Sequence, residues 1–143
     1  MLLALVALLG ALVAAYLTLY KLGYIGTLMC GTGSCELVQL SKWGSLFGLP
    51  VAAWGLGYYL SIFAVAFVGT QERYSQDPRI SMALVTLTAC GVAFSGWLTY
   101  LELFRIHAIC RYCVVSAALV ITLFVTAIID FADLRARLLS ESD

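Results

Sequence analysis

Charged side chains are scarce in this chain of 143 residues. Lys, Arg, Asp and Glu make up 11% of the sequence, whereas soluble domains carry about 25%. The eight basic and eight acidic residues cancel, so the composition offers no basic surface for nucleic acid. The sequence also lacks a G-x-G-x-x-G motif and with it the usual signature of a nicotinamide or flavin dinucleotide site. These absences argue against a soluble enzyme and against a nucleic-acid-binding protein.

The charges are confined to parts of the chain, and four stretches contain none: 2–20, 48–68, 80–101 and 112–129. Each is close to the roughly 20 apolar residues that span hydrocarbon as a helix. A backbone in lipid must satisfy its own hydrogen bonds, which favours helices here. The sequence therefore predicts an all-α membrane protein, a four-transmembrane-helix bundle in a single domain over 1–143, with a tail at 130–143. No Lys or Arg precedes the first stretch, so we interpret it as an uncleaved helix rather than a signal peptide.

The first loop, residues 21–47, contains a short amphipathic pattern. Leu37, Leu40 and Trp43 recur at helical spacing, with polar residues between them. We expect a short helix there, lying on the mouth of the bundle or in the headgroup layer. Lys and Arg divide equally between the two sides of the membrane, so the positive-inside rule does not orient the chain.

Five cysteines carry most of the chemical information, and the sharpest signal is Cys110-Arg-Tyr-Cys113 at the start of the fourth stretch. A thiol at a helix N-terminus is stabilised as the thiolate, which is the nucleophile in disulfide exchange. The spacing places both sulfur atoms on one helix face. Redox chemistry is thus favoured over a chance pair of small side chains.

A second pair, Cys30-Gly-Thr-Gly-Ser-Cys35, lies in the first loop and therefore on the same side of the membrane. Two dithiols on one face suggest a relay of thiol–disulfide exchange. A zinc site of four cysteines and a static structural disulfide remain as alternatives, in a metal-binding or structural membrane protein. Redox-active disulfides belong to an oxidising compartment. The redox interpretation therefore places both loops outside the cytoplasm and both termini inside it.

A relay needs an electron acceptor at the depth of Cys113, just inside the fourth stretch. The redox carrier that dissolves in that part of a bilayer is a lipid quinone, whose apolar ring and tail fit between helices. We therefore expect a quinone of the ubiquinone or menaquinone type, with neither a metal nor a flavin.

The order of these motifs resembles a known family. Cys30 and Cys35, the segment Ser41-Lys-Trp-Gly-Ser-Leu-Phe-Gly-Leu-Pro50, and the pair Cys110 and Cys113 look like the vitamin K epoxide reductase family, above all its bacterial members. The resemblance covers nearly the whole chain. It implies that four helices surround a quinone and that the protein lies in a bacterial inner membrane. There it would be a thiol:quinone oxidoreductase that supports the formation of disulfide bonds in exported proteins.

The resemblance also implies roles for individual residues. Cys113 would face the quinone, Cys110 would exchange with Cys35, and Cys30 would resolve that bridge and meet the partner. That partner would be a periplasmic, DsbA-like thioredoxin-fold protein acting in trans, because this chain is too short to contain such a domain. Candidate residues around the quinone, beside Cys113 itself, are Ser41, Phe47, Trp54 and Ser116; local hydrogen bonding or helix packing explains them equally well.

Four further residues carry expectations: Ala117, which departs from the family pattern, and Cys90, Glu102 and His107. Ala117 stands where vertebrate members carry a tyrosine, which favours plain quinone reduction over epoxide reduction. Cys90 is expected to be a buried, unreactive side chain. Glu102 is expected to snorkel at the end of the third stretch, and His107 to be solvated in its loop.

Overall fold

Four long apolar helices dominate the computed structural model, which describes residues 1–29 and 34–142. In chain order the helices are α1 (Leu2–Lys21), the short α2 (Ser34–Leu40), α3 (Val51–Gly69), α4 (Pro78–Leu101) and α5 (Arg111–Glu141). All except α2 are long and apolar enough to cross a membrane, and α3 is the shortest of these at 19 residues. The predicted all-α bundle with four transmembrane helices is confirmed.

The long helices form a closed ring in which α1 contacts α3, α3 contacts α4, α4 contacts α5, and α5 contacts α1. Consecutive long helices run in opposite directions. One end of the ring therefore brings together the last turns of α1 and α4, the first turns of α3 and α5, and α2. We call this the cysteine end, because Cys35, Cys110 and Cys113 all lie there.

Small side chains allow the helices to approach closely in the middle of the ring. Ala7, Ala11 and Ala14 present a buried stripe on α1 to the core. Gly10 lies against the ring of Tyr59 on α3, where an added Cβ would overlap that ring. Many large apolar side chains of the same helices are exposed on the outside of the ring, as expected of surfaces that face lipid.

The two ends of α4 have distinct local causes. Its first turn is capped by Asp77, whose carboxylate accepts a hydrogen bond from the Arg79 backbone N–H at 2.9 Å, and Pro78 occupies the first helical position. After Leu101 the chain widens into a π-helical segment, Glu102–Ile106, and His107 then adopts the left-handed conformation with φ 55°. This irregular segment turns the chain into the cysteine motif.

The segment after α2 departs from the predicted amphipathic helix. The α-helix ends at Leu40, Ser41 is extended, and a 3₁₀ turn follows at Lys42–Gly44. A small hairpin of β1 (Ser45–Leu46) and β2 (Leu49–Pro50), which the sequence did not lead us to expect, then leads into α3. Its turn residues Phe47 and Gly48 both have positive φ, which is the backbone conformation of a tight two-residue hairpin turn.

The last helix also differs in extent from its prediction. We expected the fourth span to end at residue 129, whereas α5 continues without interruption to Glu141. The additional residues are the predicted tail, so that tail is helical over most of its length.

Candidate active site

The dithiol of the C-x-x-C motif lies at the start of α5. Cys110 is the N-cap residue of that helix, with φ −90° and ψ 116°, and Cys113 lies one turn further along. Both thiols are free, and Cys110 is fully buried. A hydrogen bond from the Cys113 thiol lowers the pKa of Cys110, while burial and the nearby Glu102 carboxylate oppose that shift. The motif thus contains one thiol that is stabilised as an anion.

Glu102 is a charged residue in contact with this dithiol, and the expectation that it snorkels is wrong. Its side chain is only 6% exposed rather than directed towards the membrane surface. One carboxylate oxygen accepts a hydrogen bond from the backbone N–H of Cys110 at 3.3 Å, and the carboxylate lies within hydrogen-bonding reach of the Cys113 thiol. The signal that could have found it is a carboxylate eight residues before Cys110, at the end of a charge-free stretch.

The loop cysteine Cys35 lies in the first turn of α2 and is fully buried. It is disulfide-bonded, and it belongs to the same buried cluster as Cys110, together with Leu17, Leu28 and Val38. The expected second member of the loop pair, Cys30, lies outside the described residues. The structure therefore brings a disulfide-bonded loop cysteine and the first thiol of the C-x-x-C motif into one apolar cluster.

Two tyrosines hold the segment that leads into the loop pair. The backbone N–H of Met29 donates to the Tyr16 hydroxyl at 3.5 Å, and the Tyr112 hydroxyl donates to the Met29 carbonyl at 3.2 Å. The two rings also contact each other, with 5.4 Å between their centroids. Because Tyr112 lies between Cys110 and Cys113, this contact ties the loop directly to the C-x-x-C motif.

A largely apolar cavity of about 370 Å³ extends from the dithiol between the helices. Cys113 and Glu102 line it at the cysteine end, and aromatic side chains supply much of the remaining wall. The aromatic residues that line it are Trp43, Trp54, Tyr58, Tyr59 and Phe94. This size and lining are typical of a site for a small, mostly apolar molecule.

Two tyrosines bring hydroxyl groups to this apolar wall. The Tyr59 hydroxyl donates to the Ser116 carbonyl at 3.0 Å and lies 2.8 Å from the Ser116 hydroxyl. The hydroxyl of Tyr58 is buried and has no hydrogen-bond partner within the described part of the chain. Neither tyrosine was singled out from the sequence, although two adjacent hydroxyl groups inside a charge-free stretch were an available signal.

The residues expected around a quinone divide into two groups. Cys113, Trp54 and Ser116 line the cavity. Phe47 is 89% exposed in the hairpin turn, and the Ser41 hydroxyl donates to the Val38 carbonyl at 2.7 Å; neither lines the cavity. The structure thus brings three of the five candidates together at one surface.

Cys90 and His107 were expected to take no part in the chemistry, Cys90 as a buried side chain and His107 as a solvated one. Cys90 is exposed and lines the cavity, so the expectation that it is buried is wrong. His107 is exposed, as expected of a solvated loop residue. Among residues 1–29 and 34–142, no three His, Cys, Asp or Glu side chains come together as a metal site would require.

A membrane-spanning helical bundle with a free dithiol at a helix N-terminus, beside an apolar cavity, defines a class of membrane-embedded redox protein. The model of the Vitamin K epoxide reductase family matches residues 1–128 of the chain. The protein therefore belongs to the vitamin K epoxide reductase family and is an oxidoreductase of that type. In general, such proteins are membrane thiol–quinone oxidoreductases that work with a thioredoxin-like redox partner.

Proposed function

We propose that this protein oxidises the thiols of a thioredoxin-fold partner and passes the electrons to a lipid quinone, so that exported proteins acquire disulfide bonds. The observation that carries the proposal is the position of Cys113. It belongs to a free dithiol and at the same time lines an apolar cavity of about 370 Å³. A dithiol in that position can exchange electrons with a molecule bound between the helices.

The cavity has the chemistry that a quinone ring requires. Its walls are mostly apolar and aromatic, which favours a planar ring over a charged dinucleotide. The unpartnered Tyr58 hydroxyl supplies a donor at the cavity wall, and a quinone carbonyl is a suitable acceptor for it. A bound quinone would supply the oxidising power by accepting two electrons and two protons. The protein positions the dithiol and activates it.

The proposed route of the electrons uses both cysteine pairs. Thiols of the partner reduce the disulfide of the loop pair, Cys30 and Cys35, through a mixed disulfide. The loop pair then reduces a disulfide of Cys110 and Cys113, with Cys35 and Cys110 as the exchanging sulfur atoms. Their membership in one buried cluster supports this order. Cys110 and Cys113 finally close their disulfide again as two electrons leave for the quinone, which takes up two protons.

This chemistry assigns a compartment to the cysteine end. Disulfide formation takes place in the periplasm or another oxidising space, so we place the cysteine end outside the cytoplasm. One membrane-spanning helix separates each terminus from the nearest cysteine loop, α1 at the N-terminus and α5 at the C-terminus. Both termini are therefore placed in the cytoplasm. We propose a bacterial inner membrane as the location and a quinone of the ubiquinone or menaquinone type as the acceptor.

Anaerobic mixing of the reduced protein with quinones tests the proposal. Ubiquinone-type and menaquinone-type analogues are added separately, and the absorbance of the quinone is followed. We expect one quinol to form for each Cys110–Cys113 disulfide that closes. The Cys113→Ala variant should form none, whereas Ser41→Ala, whose side chain does not line the cavity, should react as the wild type does.

Two outcomes would contradict the proposal. The first is an absence of quinol formation from fully reduced wild-type protein with either class of quinone. The second is a zinc content near one atom per chain together with unreactive thiols, which would favour a metal-binding protein instead.

A further inference from the structure

We propose that Glu102 assigns different roles to the two thiols of the C-x-x-C motif. Its carboxylate keeps the proton on Cys113 in the resting dithiol, which leaves Cys110 as the thiolate, and it accepts the Cys113 proton when that sulfur is oxidised. The inference rests on the proposed function for its second half only. The unequal reactivity of the two thiols can be measured without any quinone.

The first support is the position of the carboxylate between the two cysteines. One oxygen accepts from the Cys110 backbone N–H at 3.3 Å, which fixes Glu102 against the N-cap of α5. The same carboxylate lies within hydrogen-bonding reach of the Cys113 thiol. A bond of this kind, from a thiol to a carboxylate, favours the protonated sulfur, because a thiolate in that place would face a second negative charge.

The second support is the burial of the group. Glu102 is 6% exposed, and buried carboxylates are rare unless they have partners or a function. Its charge is weakly screened there and therefore acts strongly on a neighbouring sulfur. Cys110 and Glu102 are the groups that act electrostatically on Cys113. The basic residue within the motif, Arg111, is exposed to solvent rather than buried with Glu102.

The third support is that the two thiols then match the tasks their positions give them. Cys110 shares a buried cluster with Cys35, and it is the sulfur that leaves as a thiolate when Cys30 resolves the Cys35–Cys110 bridge, a step that a low pKa of the leaving sulfur favours. Cys113 lines the cavity, where its proton must leave when the disulfide closes. In that step a Cys110 thiolate and a Cys113 thiol become one disulfide. They release two electrons and one proton. Glu102 is the base that receives this proton, and the second proton of the quinol comes from water.

The backbone explains how Glu102 reaches this position. The residue begins the π-helical segment Glu102–Ile106, and its own carbonyl accepts from the Ala108 N–H at 3.2 Å. This wide turn folds the chain back, so that residue 102 and residue 110 meet. A regular continuation of α4 would carry Cys110 roughly 12 Å further along the helix axis, at 1.5 Å per residue, and would break the contact.

Limited alkylation of the reduced protein tests the assignment. Iodoacetamide is added below stoichiometry without quinone, and the label on Cys110 and Cys113 is measured by peptide mass spectrometry. We expect the wild type to be labelled predominantly on Cys110. In Glu102→Gln, the share of label on Cys113 should rise about tenfold, the change expected for loss of roughly one pKa unit of charge interaction. Glu72→Gln, an exposed carboxylate at the opposite end, should behave as the wild type.

A second measurement separates a chemical role from a purely structural one. With quinone present, kcat of Glu102→Gln should fall about 100-fold, as expected for loss of a general base, while KM for the quinone stays within twofold. Glu102→Asp, which keeps the charge, should retain the preference for Cys110.

Several results would overturn the inference. Equal labelling of both thiols in the wild type would do so even if no variant folds. An unchanged label ratio in Glu102→Gln would also do so. A wild type that reduces no quinone but labels as expected would instead contradict the proposed function and leave the role of Glu102 in the dithiol intact.

Discussion

The hydroxyl of Tyr59 on α3 and the backbone of Ser116 on α5 are joined across the bundle. Tyr59 donates to the Ser116 carbonyl at 3.0 Å, and its oxygen lies 2.8 Å from the Ser116 hydroxyl. Ser116 follows Cys113 by one helical turn. The contact therefore fixes the height of α5, and with it the dithiol, relative to α3.

Removing this hydroxyl should weaken the bundle. Tyr59→Phe leaves the ring in place and loses the hydrogen bond, so we expect a loss of about 1 kcal/mol in stability. Thermal unfolding in detergent measures the loss as a lower Tm. Ser116→Ala is the matched control, since it keeps the carbonyl acceptor and should lower the Tm by less than Tyr59→Phe does. A larger loss of Tm in Ser116→Ala than in Tyr59→Phe would contradict the assigned hydrogen bond.

The hydrogen bond from Tyr112 to Met29 should affect the transfer of electrons from the partner to the C-x-x-C motif. It should not affect their transfer from the motif to the quinone. Tyr112→Phe loses the bond to the Met29 carbonyl, which helps to hold the loop over the motif. With a reduced thioredoxin-fold protein as donor, we expect turnover to fall about fivefold, the effect of roughly 1 kcal/mol. With dithiothreitol reducing Cys110 and Cys113 directly, the rate should be unchanged. An equal loss with both donors would show that the tyrosine acts on the motif itself.

The cavity wall at Gly91 should not accept a side chain. An added Cβ would overlap the hydroxyl of Tyr58, which is buried against α4 at this point. Gly91→Ala should therefore displace Tyr58 and raise KM for the quinone by about tenfold, as expected when a pocket contact worth 1–3 kcal/mol is lost. Gly96→Ala serves as the control on the same helix, because nothing lies within 4 Å of a Cβ there. Equal KM values for the two variants would place the quinone elsewhere.

The proposed relay should be trapped by removal of its resolving thiol. In Cys30→Ala, a bridge between Cys35 and Cys110 cannot be resolved by Cys30 and should accumulate, since exchange passes through a mixed disulfide. Digestion without reduction should yield a peptide pair that joins these two cysteines. A free Cys35 beside a closed Cys110–Cys113 disulfide would show that electrons take another route.

The orientation in the membrane can be tested on intact cells. After mild reduction, a membrane-impermeant maleimide should label Cys30, because the cysteine end is proposed to face an oxidising compartment. The Cys30→Ala variant supplies the background. If the maleimide labels Cys30 only after the cells are opened, the cysteine end faces the cytoplasm. The proposal that it faces an oxidising compartment would then be wrong.

Much of the fold followed from the distribution of charge, because the cost of placing charge in lipid is large and independent of tertiary detail. The four charge-free stretches correspond to the four long helices, although α5 extends twelve residues beyond its predicted end. That extension carries charges, so a rule based on their absence could not include it. The hairpin before α3 was missed because its two strands have two residues each.

The cysteines of the candidate site were predictable from the sequence, whereas only two of the four other candidates, Trp54 and Ser116, line the cavity. The spacing of the cysteines along the chain carries the signal, whereas the wall of the cavity depends on how α3, α4 and α5 are rotated. Trp54 and Ser116 turn towards the cavity, while Phe47 turns away because a hairpin precedes the helix. Glu102 was misjudged for a related reason. Its burial depends on a π-helical turn, and neither propensity nor periodicity predicts such a turn.

The short length of α3 has a consequence for the lipid around the protein. Its 19 residues span roughly 28 Å at 1.5 Å per residue, slightly less than a typical hydrocarbon core of about 30 Å. α4 and α5 are longer than the core and can tilt, α1 matches it with 20 residues, and α3 alone of the four is shorter. Hydrophobic matching is therefore tightest at this one helix, which begins with Val51 beside the cavity wall. Lipids with longer acyl chains must thin locally around α3, so acyl-chain length acts on the same helix that shapes the redox cavity.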